Sequence, residues 1–356
     1  MQWSLIKKKP VLVQHLIYWL LTILIIQMLS LWPQGIETVY ARSIYPVIAV
    51  INRWIAAWFP FSIGDLLYFW GFSYFIYHVL LLIINIKHPQ QHLQKLSMFL
   101  LKTIWIFYLS WGLNYFREPL SRLLQLNETK YTATQLLQVT DSLISRSNRL
   151  QLAITGNDTL PVEVPYGIDR IIGKTPEGYK NIEDYIQTKY RVPCIKASMF
   201  SRQISYMSVS GYLNPFTGEA QINKFYPKVF LPAIASHEVA HQLGFAPENE
   251  ANFLGYLAAV NHPDIYFNYA GNIDALYYFL VELKRYDIDV YKESLKKIHK
   301  GVIKNYREAR DFHQKYRFPI DFSKGYDAYL KLNKQKSGIR SYNEMVQLVI
   351  AYDLRL

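Results

Sequence analysis

Two histidines and a glutamate are spaced for metal chemistry in the segment His237-Glu238-Val239-Ala240-His241. Residues four apart lie on one face of a helix, so the two imidazoles can bind one cation. Glu238 lies one residue round the turn, where its carboxylate can take a proton from a metal-activated water without binding the metal itself. The segment therefore predicts a hydrolytic zinc centre, with His237 and His241 as ligands and Glu238 as the catalytic base.

A catalytic zinc site needs a third protein ligand and one open position, and two glutamates follow the motif. Gly244 is expected to end the helix shortly after His241, and the next helix opens at Glu248 with Glu250 in its first turn. We favour Glu248 as the third ligand, because Asn252 follows it by one helical turn and its amide can orient a ligating histidine. Glu250 is the alternative ligand.

A site that cleaves peptides also needs an oxyanion donor and a surface that holds the substrate. Tyr212, Tyr269 and Tyr342 are the candidate donors. Turn-forming glycine and proline residues predict a hairpin over residues 208–223, shortly before the motif. An edge strand of this hairpin can pair with an extended peptide, or the hairpin can be purely structural.

Composition narrows the class of protein. Of the 356 residues, 51% are hydrophobic, and the excess lies in residues 1–120. The single cysteine, Cys194, permits neither an internal disulfide nor a cysteine metal cluster, and we expect it to be a small buried residue. The net charge is +12, but the basic residues are scattered and form no nucleic-acid-binding motif. We therefore expect lipid headgroups or solvent, and no nucleic acid, beside the basic surface.

Three runs poor in charge predict transmembrane helices within residues 1–120, at about 11–32, 66–86 and 96–115. Each is close to the roughly 20 residues that a helix needs to cross the hydrocarbon core. A retained first helix is favoured over a cleaved signal peptide, because no small-residue cleavage site ends it. The segment 45–60 predicts an interfacial amphipathic helix.

Basic residues on one side of the predicted spans indicate the orientation. Lys7-Lys8-Lys9 precedes the first span, and Lys87 and Lys95 lie between the second and third. Both segments are expected in the cytoplasm. In a bacterial inner membrane, residues 121–356 would then be periplasmic or extracellular.

Residues 121–356 predict a mainly helical, α+β domain of zincin type with a small hairpin or sheet. Thr132 is a candidate N-cap for its first helix. Glycine and proline indicate a loop-rich region after residue 150. Helices are predicted over 131–150, 181–189, 232–243, 247–261, 273–286, 291–313 and 341–352, and extended segments over 203–209 and 219–223.

The run Glu248-Asn249-Glu250-Ala251-Asn252 resembles the Glu-x-x-Ala-Asp run of membrane-embedded gluzincin peptidases. In those families the first glutamate binds zinc, which implies that role for Glu248. Asn252 stands where they have aspartate. The whole chain is also similar to a family of bacterial membrane proteins labelled domain of unknown function 3810, in the stretches 42–46, 60–62, 111–115, 215–219 and 237–253.

The leading hypothesis is a membrane-anchored zinc metallopeptidase that acts on a peptide or protein at the outer membrane face. The first alternative is a non-catalytic envelope-assembly protein whose metal only ties two helices together, with both Glu248 and Glu250 as ligands. The second alternative is a zinc amidase that acts on cell-wall peptides. An intramembrane protease is disfavoured, because the motif lies more than 100 residues beyond the last predicted span.

Overall fold

The chain is built mainly of helices, with one small sheet in its C-terminal half. The computed structural model describes residues 11–84, 89–126 and 130–354. Of the lysines that indicated the orientation, Lys7-Lys8-Lys9 and Lys87 lie outside these residues and Lys95 lies within them. Residues 85–86, at the end of the second predicted span, also lie outside. The predicted order, a helical N-terminal part followed by helices with a small sheet, is confirmed within the described residues.

The N-terminal part includes α1 (Val11–Ser30), α2 (Pro33–Gly35), α3 (Tyr45–Ala57), α4 (Ile63–Ile84), α5 (Pro89–Ser110) and α6 (Leu120–Leu123). A π-helical segment, Ile36–Ile44, joins α2 to α3, and the 3-10 helix Gly112–Phe116 follows α5. The segment 45–60 is helical as predicted. One face of α3 is buried against the C-terminal half, while Trp54 and Trp58 on the other face are exposed.

Two of these helices are long and apolar enough to cross a membrane, namely Val13–Ser30 within α1 and Ile63–Ile84. Only 6% of each is buried, so their apolar side chains face outward. The third predicted span is shifted, because α5 begins at Pro89 and ends at Ser110. Glutamine, histidine and lysine in its first half lower its hydropathy, and among the described helices only α1 and α4 are apolar enough to qualify.

The C-terminal part includes α7 (Ala133–Thr155), α8 (Ile168–Lys180), α9 (Glu183–Ile186), α10 (Ser201–Tyr206), α11 (Leu231–Gln242), α12 (Glu248–Val260), α13 (Ile265–Tyr286), α14 (Ile288–Lys296), α15 (Lys300–Lys315), α16 (Ser323–Leu332) and α17 (Met345–Asp353). Two 3-10 helices lie at Lys228–Phe230 and Gly338–Glu344. The predicted N-cap is confirmed, since Thr132 forms a reciprocal capping box with Gln135.

Two segments form helices where the sequence predicted none. The loop-rich region contains α8, which keeps its helical course through Pro176 and buries Ile171, Thr175 and Tyr179 at helical spacing. The segment 203–209, predicted as extended, falls largely within α10. There the Ser205 hydroxyl donates to a backbone carbonyl one turn back.

Three other helices differ from prediction in their bounds. The predicted helix 291–313 is divided into α14 and α15, because His299 adopts an extended conformation between them. Helix α13 begins at Ile265 rather than at residue 273, where Asp264 caps its first turn. The last helix, α17, begins at Met345 after a 3-10 segment.

The sheet has three short strands in the order β1-β3-β2, with β1 at Ile195–Ala197, β2 at Gly211–Leu213 and β3 at Ala220–Ile222. Strand β3 is parallel to β1 and antiparallel to β2, so the predicted hairpin is confirmed. The central strand β3 is fully buried, and β2 is an edge strand. The motif helix α11 packs on this sheet and on α8, α12 and α13.

Candidate metal centre

Helix α11 is the element that positions the motif. Pro232 lies in its first turn, where the missing N–H costs no hydrogen bond. Ala235, Val239 and Ala240 are fully buried, which allows close packing on the neighbouring helices. The helix ends at Gln242, and Gly244 follows in the left-handed conformation with φ of 86°. The predicted glycine stop is therefore confirmed, and it turns the chain towards α12.

Helix α12 brings Glu248 to the two histidines. Its Oε2 lies 3.3 Å from Nε2 of His237 and 3.4 Å from Nε2 of His241. Three ligands held about 2.0–2.1 Å from one tetrahedral zinc lie about 3.3 Å from one another. The spacing of the carboxylate oxygen from both imidazoles therefore fits a shared cation.

Hydrogen bonding at His241 supports the same interpretation. Nδ1 of His241 lies 2.8 Å from the carbonyl oxygen of Phe245. A carbonyl oxygen can only accept, so Nδ1 donates to it, and Nε2 is the ring nitrogen directed at Glu248. Among the described residues, Oε2 of Glu248 is buried and accepts no hydrogen bond. A cation bound by Nε2 and by this oxygen would give both atoms a partner.

The other oxygen of Glu248 is held from the opposite side. Tyr326 donates its hydroxyl to Oε1 at 2.6 Å. Burial raises the pKa of Glu248, but the adjacent His241 and His237 more than offset this and hold it below its usual range. The carboxylate is therefore ionised and oriented, as a metal ligand must be.

Glu238 lies beside the candidate ligands, and no described hydrogen bond or ion pair joins it to them. It is buried, and its Oε2 has no hydrogen-bond partner. Burial raises its pKa to about 7, although the neighbouring histidines lower it. Gly211 of the edge strand leaves room for this carboxylate, since a Cβ at that position would lie 2.6 Å from Oε1 of Glu238. A carboxyl group with a pKa near neutrality can both accept and return a proton.

The alternative ligand and the predicted orienting amide have other partners. Oε1 of Glu250 accepts the backbone N–H of Leu120 at 2.8 Å, so this carboxylate caps α6 instead of facing the histidines. The amide of Asn252 donates to the carbonyl of Tyr342 at 3.2 Å. Asn252 thus supports the tyrosine wall of the site, and among the described contacts it has no bond to a motif histidine.

Of the three candidate oxyanion donors, the structure brings one to the motif. The ring of Tyr342 stacks on that of His237, with centroids 6.2 Å apart and planes 12° from parallel. The hydroxyl of Tyr212 bonds to Asp65 at the start of α4. Tyr269 is buried in the core and donates to Asn305 at 2.9 Å. Tyr212 and Tyr269 are therefore placed away from the motif by the strand and helix that carry them.

A cavity of about 600 Å³ opens beside the motif. His237 and Glu238 line it, together with Gly211 of the edge strand and Asp274 of α13. Sequence reasoning missed Asp274, although an aspartate inside an otherwise apolar helical stretch is a usable signal. It also missed Tyr326, for which the sequence offers none, because the contact spans 78 residues.

Four side chains from the N-terminal part hold the C-terminal end of α11. They donate to carbonyl groups of His241 and Gln242 in its last turn and of Gly244 just beyond it, where the helix itself supplies no donor. This junction cluster consists of Tyr45, Arg53, Trp111 and Arg117, whose bonds are Tyr45 Oη to Gln242 O at 2.9 Å, Arg53 Nη1 to Gln242 O at 2.8 Å, Trp111 Nε1 to His241 O at 3.0 Å and Arg117 Nη1 to Gly244 O at 2.9 Å. The helices before residue 120 therefore contact the motif helix directly.

Of three comparisons with known proteins, one found a match, and it covers most of the chain. No curated protein and no solved structure matches it. A family model described as a protein of unknown function, DUF3810, matches residues 40–350. That match covers the junction cluster, the sheet, the motif helix and most of α17. The chain therefore belongs to the DUF3810 family.

Proposed function

We propose that the chain is a membrane-anchored, zinc-dependent metallopeptidase that hydrolyses peptide bonds at the outer face of the membrane. The observation that carries this proposal is the convergence of His237, His241 and Glu248 on one point beside a cavity. Buried polar atoms normally satisfy their lone pairs with hydrogen bonds, and here the carboxylate oxygen does not. A cation would give this oxygen and the two imidazole nitrogens a common partner.

Zinc suits this donor set. Two imidazoles and one carboxylate form the ligand set of catalytic zinc sites that keep one position open. Glu250 is engaged with Leu120, which argues against a structural site closed by both glutamates. The ligand atoms of Glu238 and of the two histidines lie within 4.8 Å of one another. At this distance Glu238 could reach a water molecule bound between the two histidines, which supports its proposed role as the base.

Each residue then has a chemical role. A zinc ion held by His237, His241 and Glu248 would supply a Lewis acid that lowers the pKa of water and polarises a carbonyl group. Glu238 takes the proton from the attacking water and returns it to the leaving amine, which a pKa of about 7 allows near neutral pH. Tyr342 is the candidate hydroxyl donor to the developing oxyanion.

The edge strand β2 is suited to hold an extended peptide. Ser210 and Gly211 line the cavity, and β2 pairs with β3 on only one side. A peptide added along the other side would gain main-chain hydrogen bonds while its side chains alternate between cavity and solvent. The scissile carbonyl would then lie close to Glu238, which touches this strand.

The membrane arrangement belongs to the same proposal. We propose three spans, α1, α4 and α5, with the N-terminus in the cytoplasm and residues 121–356 outside a bacterial inner membrane. Polar contacts join α5 to the other two helices, as in membrane bundles. Trp19 donates to Ser97 at 3.0 Å, and His78 contacts His92 at 3.1 Å. These contacts support α5 as a span despite its lower hydropathy.

The test uses the full-length chain in detergent or vesicles. Glu238→Gln should retain bound zinc and lose peptide cleavage, because the ligands stay while the base is removed. His241→Ala should lose zinc as well as activity. The matched control is Glu293→Gln on α14, since this glutamate is 66% exposed and pairs with the exposed Lys296. Zinc content and cleavage of a proteome-derived peptide library are the two measurements.

The outcomes separate the hypotheses. Undiminished cleavage by Glu238→Gln would refute the proposed base. Zinc in the wild type without cleavage of any peptide would favour the structural-metal alternative. Cleavage restricted to cell-wall peptides would identify an amidase, which uses the same residues on another substrate. Protease-accessibility mapping of residues 121–356 in intact cells tests the orientation.

A further inference from the structure

Asp274 is a carboxylate in the wall of the cavity, where it interacts with His237 only through charge. It lies on α13 between the buried residues Ile273 and Ala275 and faces the same cavity as His237 and Glu238. Among the described residues it makes no hydrogen bond and no ion pair. A half-buried carboxylate is costly to leave unpaired, so a ligand that brings a positive charge would be favoured.

The walls around Asp274 are aromatic rather than polar. The lining includes Tyr226, Tyr277, Tyr278, Tyr306 and Tyr342. Several of their hydroxyls already have partners. Tyr306 donates to the carbonyl of Ile273 at 2.6 Å, and the hydroxyl of Tyr342 lies 3.2 Å from that of Tyr326. The ring faces are what such side chains offer to a ligand, and these faces attract cations and accommodate alkyl stems.

We propose that Asp274 is the specificity-determining residue of this cavity and binds the cationic end of a substrate side chain, an ammonium or guanidinium group on an alkyl stem. This inference rests on the proposed function for the identification of the substrate as a peptide. An aliphatic neutral side chain would fill the same space but would leave the half-buried carboxylate without a cation beside it. Lysine should therefore be preferred over its uncharged isostere norleucine by roughly 10- to 100-fold.

Basic residues also line the cavity, and the charge of Arg310 among them is partly neutralised by a neighbouring aspartate. Arg310, His313 and Arg317 also line the cavity. Arg310 is 61% exposed and pairs with Asp311 at 2.9 Å, so its charge is partly neutralised and screened by water. Asp274 is less exposed than Arg310, so water screens its charge less and its attraction for a cation in the cavity is stronger.

The experiment measures binding separately from cleavage. Zinc-loaded full-length Glu238→Gln is titrated with fluorescent peptides that carry lysine, norleucine or glutamate at one position, and fluorescence anisotropy gives Kd. The Asp274→Asn substitution in this background should abolish the lysine preference, and Asp274→Glu should retain it. Asp274→Lys should reverse the preference towards glutamate. The matched control is Asp289→Asn, which removes a charge that is 83% exposed on α14.

Two results would overturn the inference. One is equal binding of lysine and norleucine peptides by Glu238→Gln. The other is an Asp274→Asn variant that weakens zinc binding and binds all peptides equally poorly, because Asp274 would then position His237 rather than select the substrate. If the preference depends on Asp274 but the wild type cleaves nothing, the cation subsite stands and the peptidase proposal fails. If the wild type cleaves peptides without any lysine preference, the peptidase proposal stands and the cation subsite fails.

Discussion

A methyl group added at Gly244 should damage the metal centre without touching a ligand. Gly244 has φ of 86°, and a Cβ there would lie 2.7 Å from the ring of Tyr45 and 3.0 Å from Oδ1 of Asn114. Gly156 provides a matched control, because it has φ of 68° at the end of α7 and nothing within 4 Å. Both alanine substitutions carry the left-handed backbone penalty of about 1–2 kcal/mol. Only Gly244→Ala adds a clash, and overpacking costs about 1–3 kcal/mol.

The clash should appear as lost zinc affinity. The chain can relieve it by moving residues 245–247 away from Tyr45, and this movement displaces Glu248 from the histidines. Zinc binding must then restore the strained geometry, so an extra strain of about 1–3 kcal/mol weakens binding by roughly 5- to 150-fold. Gly156→Ala should lower thermal stability slightly and leave zinc affinity unchanged.

The assay is competition for zinc against a chromophoric chelator, with the full-length chain in detergent, beside thermal unfolding followed by circular dichroism. The informative quantity is the difference between the two glycine variants in zinc affinity. Equal affinities for Gly244→Ala and Gly156→Ala would refute the reasoning, because the close contact with Tyr45 would then play no part in placing Glu248.

Two further predictions concern single side chains. Tyr326→Phe removes the 2.6 Å hydrogen bond to Glu248 and should weaken zinc binding by about 10- to 100-fold. Tyr316→Phe is the control, because the Tyr316 hydroxyl has no described partner, and it should leave zinc binding unchanged. Equal chelator-competition curves for the two variants would contradict this prediction. Burial raises the pKa of Glu37, but Arg117 and Arg42 more than offset this and the net shift is downward. The stabilising effect of its charge is therefore present above the unfolded-state pKa of about 4.5 and is lost as pH falls through the folded-state pKa. Glu37→Gln should lower Tm at pH about 7, and the difference from the wild type should narrow as pH falls below about 4.5; a constant Tm difference would contradict the linkage.

The parts of the site that sequence could predict are those set by local spacing. A four-residue interval places His237 and His241 on one face, and a glycine that favours positive φ ends the helix at Gly244. Helical spacing also favoured Glu248 over Glu250, because it placed Asn252 one turn after Glu248 to orient a histidine. Asn252 instead donates to the carbonyl of Tyr342.

The parts that sequence could not predict depend on contacts between distant segments. Trp111 bonds to a carbonyl 130 residues away, and Tyr45 to one 197 residues away. No periodicity or spacing encodes such pairs. The same limit explains Tyr212, whose position on β2 directs its hydroxyl to Asp65 at the start of α4. Helix α8 was missed for another reason, since its burial against α11 and α12 outweighs the local signals of Gly173 and Pro176.

Residues before and after about residue 120 differ in hydropathy, but the two parts pack against each other. The junction cluster donates to the last carbonyls of α11, and without it the carbonyl of Gln242 would lose its bonds to Tyr45 and Arg53. A second connection runs from the sheet to the candidate span α4, where Glu219 accepts the N–H groups of Ile63 and Gly64 and Asp65 accepts that of Met199 at 2.7 Å. The N-terminal helices therefore form part of the frame of the candidate metal centre and of its edge strand. Under the proposed membrane arrangement, this frame would fix the height of the cavity above the membrane surface, and the proposed peptidase would act only on peptide segments near that surface.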